Sequence, residues 1–554
     1  MEKRIFLAVL LSIAILAMWG PIMQKFFPEL VKKPAVTKPA TTTTTTTSSP
    51  VTSTTAAPKS TSAAVPAATT SAAPLLVPIA STIVAEKIEE TRIDTSDFTA
   101  RFSNRGAELV SFQLKNYKAK DGSPLELVKG REWTRGDFPF AIQTRDANTN
   151  RSLNTSLWVL TDRTEKKMRV LEYRYARGGV SATKTFRLNG EYPFDFGVNV
   201  APAIPYRIEI GPGIRTLAPE ERDSQFIITG NGIVQIDDKL KIINREKTDR
   251  ISVIPTAQFV GIEDNYFLQV LRPSKSGDAM LRRIEVPLAG QKSPRKDLYA
   301  GLNSANDGTV TGTAFFGPKQ TKILEKYGLE STLQFGYFGF IAKILLDVLI
   351  WINKSTHNYG FAIIVLTILI KVVLYPLQHK SIVSMKKMQR LQPKVEAIKK
   401  RYKNATRDPE QRQKMNTETM KLYQQEGVNP MGGCLPMVLQ LPILWGFYGL
   451  LSRAIELRGA PFIFWIHDLS AKDPYYITPI LMTITMFIQQ TITPTTVDPA
   501  QRRMFLIMPL VFGWIFKEFA AGLVLYWLVQ NILTIVQQLI MNKYWKDHPA
   551  ELQK

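Results

Sequence analysis

Long apolar runs and short alternating runs divide the chain into two kinds of segment. Residues 358–376, NYGFAIIVLTILIKVVLYP, form a nineteen-residue run that carries one charge, Lys371. A helix rises about 1.5 Å per residue, so this run can cross a hydrocarbon layer of about 30 Å. Lys371 lies close to Pro376, so its ammonium group either reaches the nearby interface or faces a water-filled cavity and an acidic group. The run alone leaves both interpretations open.

Further apolar runs predict the other membrane segments. We predict an N-terminal transmembrane signal anchor over 1–27 and transmembrane helices over 356–377, 431–451, 475–493, 504–517 and 519–541. The apolar part of 504–517 is short for the hydrocarbon thickness, which indicates a locally thinner bilayer. Residues 333–354 place Lys343, Asp347 and Lys354 on one helical face and apolar side chains on another. This pattern predicts an amphipathic helix in the interface plane, with an extension of the next span as the alternative.

The segment between the anchor and these helices is polar or alternating. Residues 28–84 are rich in Thr, Ser, Pro and Ala, which is typical of a flexible linker. Residues 85–330 alternate polar and apolar side chains between Gly, Pro, Asn and Asp; Phe194 and Val200, for example, fall on the same face of one strand. Many short strands of this kind predict an all-β sandwich. Because the domain follows one outward-going span, we expect it to be periplasmic.

A basic segment follows the run that contains Lys371. Between residues 377 and 430 there are thirteen Lys or Arg and five Asp or Glu. Residues 378–430 predict a helical hairpin, in which Pro393 should kink or divide the first helix and Asp408 should cap the second. The positive charge is typical of a cytoplasmic segment, and its excess suits ribosomal RNA, anionic lipid or an acidic partner.

Composition narrows the class of protein further. The chain has 554 residues, with 70 basic and 47 acidic side chains and a net charge of +23. A single cysteine, Cys434, excludes an intrachain disulfide, and the four histidines all follow residue 356. The sequence contains no nucleotide-binding loop or metal-ligand motif, so we expect no catalytic residue, cofactor or metal. The charges of the loops predict six transmembrane spans. They place both termini and the tail 542–554 in the cytoplasm and residues 28–340 in the periplasm.

Five stretches together resemble a known family. KVVLYPLQHKS, MQRLQPKVEAIK, GVNPMGGCLPMVLQLPI, DPYYITPILMTITMFIQQ and AAGLVLYWLVQN are similar to segments of the YidC family of membrane protein insertases. The resemblance covers residues 355–541 strongly, and the block around Cys434 is its most specific part. It implies an α-helical polytopic membrane protein of the inner membrane of Gram-negative bacteria. A signal anchor and a five-helix insertase core would then join an all-β sandwich periplasmic domain.

The resemblance also implies an activity, partners and sites. Family members insert, fold and help to assemble integral membrane proteins, alone or with the Sec translocase, and act as insertases and chaperones rather than enzymes. The implied partners are nascent integral membrane proteins, the Sec translocase with its SecD and SecF subunits, the ribosome through 378–430, and inner-membrane lipids. A hydrophilic groove would be lined by Lys371, Thr367, Gln440 and Trp527. A hydrophobic slide would consist of Leu441, Leu444, Trp445, Met508 and Phe512.

Two departures from the family pattern affect the groove. Lys371 stands where the compared family member has Arg, so the site keeps a charge but lacks the bidentate fork of a guanidinium group. Trp527 stands where that member has Tyr, which removes a hydroxyl group.

The periplasmic domain of the family resembles a mutarotase-like sandwich, but this one has no histidine and is expected to dock partners instead.

Two other functions compete with the insertase. One is a secondary transporter of a small anion with Lys371 as the counter-ion, although transporters usually contain repeated halves and this chain does not. The other is an envelope glycan-binding or glycan-modifying protein whose activity would lie in residues 85–330.

Overall fold

The computed structural model describes residues 82–119, 121–130, 137–216, 230–248, 250–286, 294–405, 408–428, 435–493 and 499–547. The predicted signal anchor, nearly all of the linker and Cys434 therefore lie outside the described residues. The chain falls into two compact units. One comprises Ala80–Arg401 and Lys414–Lys554, and the other comprises Met1–Ile79 and Tyr402–Gln413. Within the second unit, the Asp408 carboxylate accepts a hydrogen bond from the Glu410 amide, at 2.9 Å, where a helix begins.

The described residues from Glu90 to Pro318 form eighteen antiparallel strands and one helix. The strands are β1 (Glu90–Asp94), β2 (Phe98–Ser103), β3 (Glu108–Lys118), β4 (Pro124–Glu126), β5 (Ala141–Thr144), β6 (Val159–Glu165), β7 (Met168–Arg177), β8 (Val180–Leu188), β9 (Pro193–Ala201), β10 (Tyr206–Ile210), β11 (Asn231–Ile236), β12 (Lys239–Ile243), β13 (Ile251–Ala257), β14 (Phe259–Glu263), β15 (Phe267–Pro273), β16 (Gly277–Val286), β17 (Arg295–Asn303) and β18 (Thr309–Pro318). Helix α1 (Ala147–Thr155) follows β5.

These strands form three sheets. Their orders are β1-β2-β3-β4, β13-β16-β17-β10-β5 and β12-β11-β14-β15-β18-β9-β8-β7-β6. Strand β9 alternates as the sequence predicts, because every second residue from Phe194 to Val200 is buried and the residues between them are more exposed. Aromatic rings connect the four-stranded to the nine-stranded sheet, with ring centroids 4.7 Å apart for Phe102 and Phe186. The prediction of a β-rich domain is confirmed.

Helices dominate the chain after the strands. They are α2 (Thr321–Lys326), α3 (Gly339–Thr356), α4 (Tyr359–Arg401), α5 (Pro409–Gln425), α6 (Leu435–Arg453), α7 (Ile477–Ile492), α8 (Pro499–Phe516) and α9 (Ala521–Asp547). Of the described helices, α4 and the Ala521–Trp545 part of α9 are long and apolar enough to cross a membrane, and Ile477–Ile492 and Leu506–Phe516 are shorter apolar helices. The prediction of a helical part with apolar helices is also confirmed.

Helix α4 is longer than the sequence predicts. It continues for 43 residues through Pro376 and Pro393. Of the two alternatives predicted at Pro393, the division of the helix is wrong and the kink stays a prediction. Proline removes one backbone donor and leaves the carbonyl four residues earlier without it. At Pro393 that carbonyl belongs to the exposed Gln389, where water can replace the donor. The buried side chains of Leu391 and Val395 continue the packed face of the helix on both sides of this proline.

The C-terminal helix also exceeds its predicted end at residue 541. Helix α9 continues to Asp547, so the segment predicted as a tail over 542–554 begins as helix. The reason is a small apolar cluster in which Met541 and Trp545 pack with Ile382 of α4. Helix α8 begins at Pro499, before the predicted start at 504, and is 18 residues long.

Helix α3 packs against α4 and α6 as an amphipathic helix. Its buried face contains Leu345 and Leu349, while Lys343, Asp347 and Lys354 are exposed. The helix begins at Gly339 and therefore covers the later part of the predicted segment 333–354.

Helix α9 packs against α4, α6 and α7, and α7 packs against α8. This order places α9 at the centre of the apolar helices.

Glycines in α6 allow the chain before α3 to approach closely. A Cβ atom at Gly449 would lie 2.3 Å from the Phe335 carbonyl oxygen, and one at Gly446 would lie 2.8 Å from Ile341. Contacts at these distances need the backbone to move, so small residues are required on this face.

We predict that Gly449→Ala lowers the free energy of unfolding by about 2 kcal/mol, because the new methyl group overpacks a backbone contact. The measurement is thermal or denaturant unfolding of the purified full chain in detergent. Gly339→Ala is the matched control, since a Cβ there would lie 3.7 Å from its nearest neighbour, Phe335. Equal stability of the two variants would contradict this account of the interface.

Candidate functional site

The charge of the first apolar run lies inside the helix bundle. Lys371 of α4 is 9% exposed, and its Nζ atom donates a hydrogen bond of 2.8 Å to Oγ1 of Thr534 on α9. The Thr534 hydroxyl in turn donates to the backbone carbonyl of Gln530, at 2.7 Å. The Thr534 hydroxyl proton is therefore used in a hydrogen bond within α9, and a lone pair of its oxygen accepts the hydrogen bond from the ammonium group. Of the two interpretations, the structure favours an inward-facing ammonium.

A polar stripe on α9 continues from this contact. Asn531 is buried and its amide donates to Oγ1 of Thr485 on α7, at 3.3 Å. About two turns further along α9, the buried Gln538 amide donates to Oγ1 of Thr493, at 2.9 Å. Residues three and four apart share one helical face, so these side chains form a ladder facing α4 and α7. The ladder joins three helices by hydrogen bonds rather than by apolar packing alone.

Several buried amide atoms near this stripe have no hydrogen-bond partner among the residues that the structure describes. They are Oε1 of Gln378, Gln490 and Gln530, together with both amide atoms of Gln537. A buried polar group without a partner costs roughly 1–3 kcal/mol. Polar interiors of this kind are normally satisfied by water or by another polar chain. The bundle can thus accommodate polar groups along α9.

Gln440 and Thr367 lie near the stripe but use their polar atoms differently. The Gln440 amide donates to the hydroxyl group of Tyr526, which is fully buried and stacks on Phe447 with ring centroids 4.1 Å apart. The Thr367 hydroxyl donates to the Ile363 carbonyl of its own helix, at 2.6 Å. Thr367 therefore lies on the same face of α4 as Lys371, four residues before it, but its hydroxyl proton is used within its own helix.

Trp527 does not lie with the other predicted groove residues. Its ring stacks on Phe512 and contacts Phe516, with ring centroids 6.3 and 5.3 Å apart. These contacts place Trp527 on the apolar side of α9, facing α8. Neighbouring positions on a helix point about 100° apart, so residues next to Trp527 face other directions. Position 527 has no hydroxyl group, but the adjacent Tyr526 has one and lies on a different face of the same helix.

The predicted slide residues divide into two groups. Leu444 and Phe512 pack with Trp527 against one core cluster that includes Phe447 and Phe516. The other three, Leu441, Trp445 and Met508, lie outside that cluster as the described residues define it. Helix α8 also presents large apolar side chains outward, and they are Ile507, Leu510, Val511, Trp514 and Ile515. This apolar surface can contact lipid or an apolar helix.

The basic hairpin keeps most of its charge exposed. Lys394 pairs with Glu426 at 2.6 Å and Arg401 pairs with Glu418 at 2.7 Å, which joins α4 to the last part of α5. The last turn of α4 also contains Lys399 and Lys400. Basic side chains at a helix C-terminus interact favourably with its dipole.

Sequence reasoning missed two residues of this site, Thr534 and Tyr526. The prediction started from charged groups and from positions matched to the family, and neither residue meets that criterion. A period of three to four in the polar side chains of α9, Gln530, Thr534 and Gln538, could have indicated Thr534. No pattern in the sequence distinguishes the face of Tyr526 from that of Trp527.

We predict that Tyr526→Phe lowers the free energy of unfolding by about 1 kcal/mol, because the Gln440 amide loses its acceptor while the stacking on Phe447 remains. Gln440→Leu should cost a similar amount, and the double variant little more than either single variant. The measurement is a double-mutant cycle by denaturant unfolding of the full chain. Fully additive effects would contradict this hydrogen bond.

Comparisons with known proteins identify relatives of this chain. A family model described as 60Kd inner membrane protein matches residues 351–548, and one described as YidC periplasmic domain matches residues 90–348. The Membrane protein insertase YidC of Geotalea daltonii is 36% identical, covering 98% of this chain and 99% of that protein. Its namesake from Syntrophus aciditrophicus is 34% identical, covering 98% and 100%.

Among solved structures, the crystal structure of an active YidC insertase with the first transmembrane domain resolved is 18% identical, with a TM-score of 0.37, and covers 82% of this chain and 93% of that one. The two family models together match most of the chain, and the relatives above match it over nearly its whole length. The chain therefore belongs to the YidC family of membrane protein insertases.

Proposed function

We propose that this chain inserts, folds and helps to assemble integral membrane proteins through a polar groove along α9 and an apolar slide on α6 and α8. The observation that carries the proposal is the Lys371 ammonium, which is buried between apolar helices and bonded to the neutral Thr534. A charge held in this way can attract an acidic group of an incoming chain. The attraction of two unit charges 4 Å apart is about 4 kcal/mol at an effective dielectric constant of 20.

The unpaired amides would receive the polar part of the substrate. A polypeptide backbone that enters the hydrocarbon layer without hydrogen bonds is strongly disfavoured. Gln378, Gln490, Gln530 and Gln537 offer buried donors or acceptors along the proposed path. Hydrogen bonds with these amides and with water would lower the cost of moving a short polar tail across the layer.

The apolar part of the substrate would leave toward lipid along the slide. Leu444 and Phe512 pack against one cluster, and the neighbouring surface of α8 is apolar and exposed. Burial of one large apolar side chain contributes about 1.5–3 kcal/mol. A transmembrane segment of about twenty residues therefore supplies enough free energy for insertion without nucleotide hydrolysis.

The proposed location is the bacterial inner membrane, with several spans, both termini in the cytoplasm and residues 28–340 in the periplasm. The exposed basic side chains of the hairpin support its cytoplasmic placement. Exposed aromatic side chains at the opposite ends of the helices, Tyr337, Phe340 and Trp514, support an outer interface there. Inner-membrane lipids would contact this aromatic surface and α3.

The proposed macromolecular partners follow from the same surfaces. The ribosome would bind the basic hairpin 378–430, because phosphate groups of RNA attract clustered Lys and Arg side chains. The Sec translocase, with its SecD and SecF subunits, would cooperate on larger substrates through the β-rich domain. That domain also contacts the helices directly, since the Asn265 amide donates to the Ser452 carbonyl at 2.7 Å.

We predict that Lys371→Leu lowers the insertion of substrates with acidic tails about tenfold, the factor that corresponds to 1.4 kcal/mol of lost attraction. Substrates with neutral tails should be inserted as before, and Lys371→Arg should keep most of the activity because it keeps the charge. The measurement is protease protection of the tail in proteoliposomes containing each variant. Unchanged insertion of acidic tails by Lys371→Leu would refute the attraction.

We also predict that a photoreactive residue at position 371, 444 or 512 crosslinks to stalled nascent membrane proteins. Val373 is the matched control, because it lies two residues from Lys371 at the same depth and is 75% exposed on another face of α4. Crosslinks at the three groove and slide positions and none at Val373 support the route. Crosslinks of equal yield at Val373, or none at the three positions, would refute it.

A further inference from the structure

We infer that Thr534 is a positioning residue, which holds the Lys371 ammonium inside the bundle and leaves its charge available to the substrate. The inference rests on the proposed function and adds a residue to it. Thr534 is the side chain to which Lys371 Nζ donates, at 2.8 Å, and the two residues lie on different helices, α4 and α9. The contact therefore fixes the charge relative to the polar stripe rather than relative to its own helix.

The direction of the hydrogen bonds determines what Thr534 does. Its hydroxyl proton is donated to the Gln530 carbonyl, so the oxygen is oriented as an acceptor before Lys371 reaches it. An ammonium group has three protons, and this contact uses one of them. The remaining two can point toward a substrate carboxylate or toward water.

A neutral acceptor suits this position better than an acidic one. In the part of the chain that the structure describes, no carboxylate lies within ion-pair distance of Lys371 Nζ. An internal Asp or Glu would hold the ammonium equally well but would cancel the charge that attracts the substrate. The Thr534 hydroxyl fixes the position of the ammonium group without neutralising it.

Lys371 also has an alternative position. A lysine near the end of an apolar helix can extend its flexible stem and place the ammonium group at the interface. The neighbouring side chains Val372 and Val373 are 64% and 75% exposed, so the outward faces of α4 begin directly beside Lys371. Without the Thr534 acceptor, the ammonium group should spend more time at the cytoplasmic interface and less in the groove.

The test compares Thr534→Val, which removes the hydroxyl with little change of shape, with Thr534→Ser, which keeps it. The readout is the ratio of insertion of acidic-tailed to neutral-tailed substrates in proteoliposomes. We expect Thr534→Val to lower this ratio about three- to tenfold. Thr534→Ser should have the same ratio as the parent. In a Lys371→Leu background, Thr534→Val should change the ratio no further, because the two residues act through one charge.

Thr485→Val is the matched control. It removes the hydroxyl that accepts from Asn531 between α7 and α9, and no hydrogen bond joins Thr485 to Lys371 among the described residues. Each of the two variants removes one hydroxyl acceptor between helices, so we expect similar losses of stability. A merely structural role of Thr534 would therefore give both variants the same substrate ratio. A lowered ratio in Thr534→Val alone supports positioning.

A second readout follows the ammonium group itself. A membrane-impermeant amine reagent is added from the cytoplasmic side of the full-length protein, and modification of Lys371 is quantified by mass spectrometry of its peptide. We expect faster modification in Thr534→Val than in the parent, Thr534→Ser or Thr485→Val. Equal modification rates, or an unchanged substrate ratio in Thr534→Val while Lys371→Leu is impaired, would overturn the inference.

Failure of the proposed function has a different signature. If Lys371→Leu inserts acidic tails as well as the parent does, the attraction role of Lys371 is wrong, and so is the role of Thr534 in substrate selection. The modification rate then still decides whether Thr534 holds the ammonium group inside the bundle.

Discussion

The burial of a charged side chain, Lys371, among apolar helices is the physical constraint that their polar contacts must meet. A charged side chain costs about 2.5–3.5 kcal/mol on insertion scales at the centre of a membrane-spanning helix and less toward its ends, where Lys371 lies. The bundle lowers this cost by placing one polar face of α9 against α4, with a hydroxyl acceptor opposite the ammonium group. The face of α9 toward α8 is apolar, as the stacking of Trp527 on Phe512 shows. One helix therefore separates the proposed groove from the proposed slide.

Helix α4 connects this charge with the basic hairpin without interruption. Its 43 residues correspond to a length of about 65 Å at 1.5 Å per residue, and they include both Lys371 and the basic last turn. A ribosome bound to the hairpin would thus contact the helix that carries the groove charge. The packing of Trp545 on Ile382 joins the end of α9 to the same helix, on the side proposed to be cytoplasmic.

The sequence predicted those features that follow from periodicity or from an isolated charge. The alternation around Phe194 predicted a strand, and the long apolar runs predicted the helices. The presence of Lys371 in an apolar run indicated a candidate site. A division of the helix at Pro393, one of the two predicted alternatives, is wrong because sequence rules register the lost donor but not the exposed carbonyl and the tertiary packing that compensate for it. The faces of Tyr526 and Trp527 depend on how α9 is rotated against its neighbours, which no local pattern determines.

The chemistry of the proposed groove fits an insertase that accepts many substrates. A guanidinium group would favour the planar geometry of a bidentate partner, whereas a lysine ammonium attracts a carboxylate from several directions. The unpaired Oε1 atoms of Gln378, Gln490 and Gln530 can accept hydrogen bonds, and the amide of Gln537 can both donate and accept, so together they suit a polypeptide backbone of any sequence. Fixed partners at these positions would reduce the cost of an empty groove but would compete with the substrate. In the proposed groove, a partly unsatisfied interior would lower the stability of the bundle but would accept many substrates, and Thr534 would fix the position of the Lys371 charge.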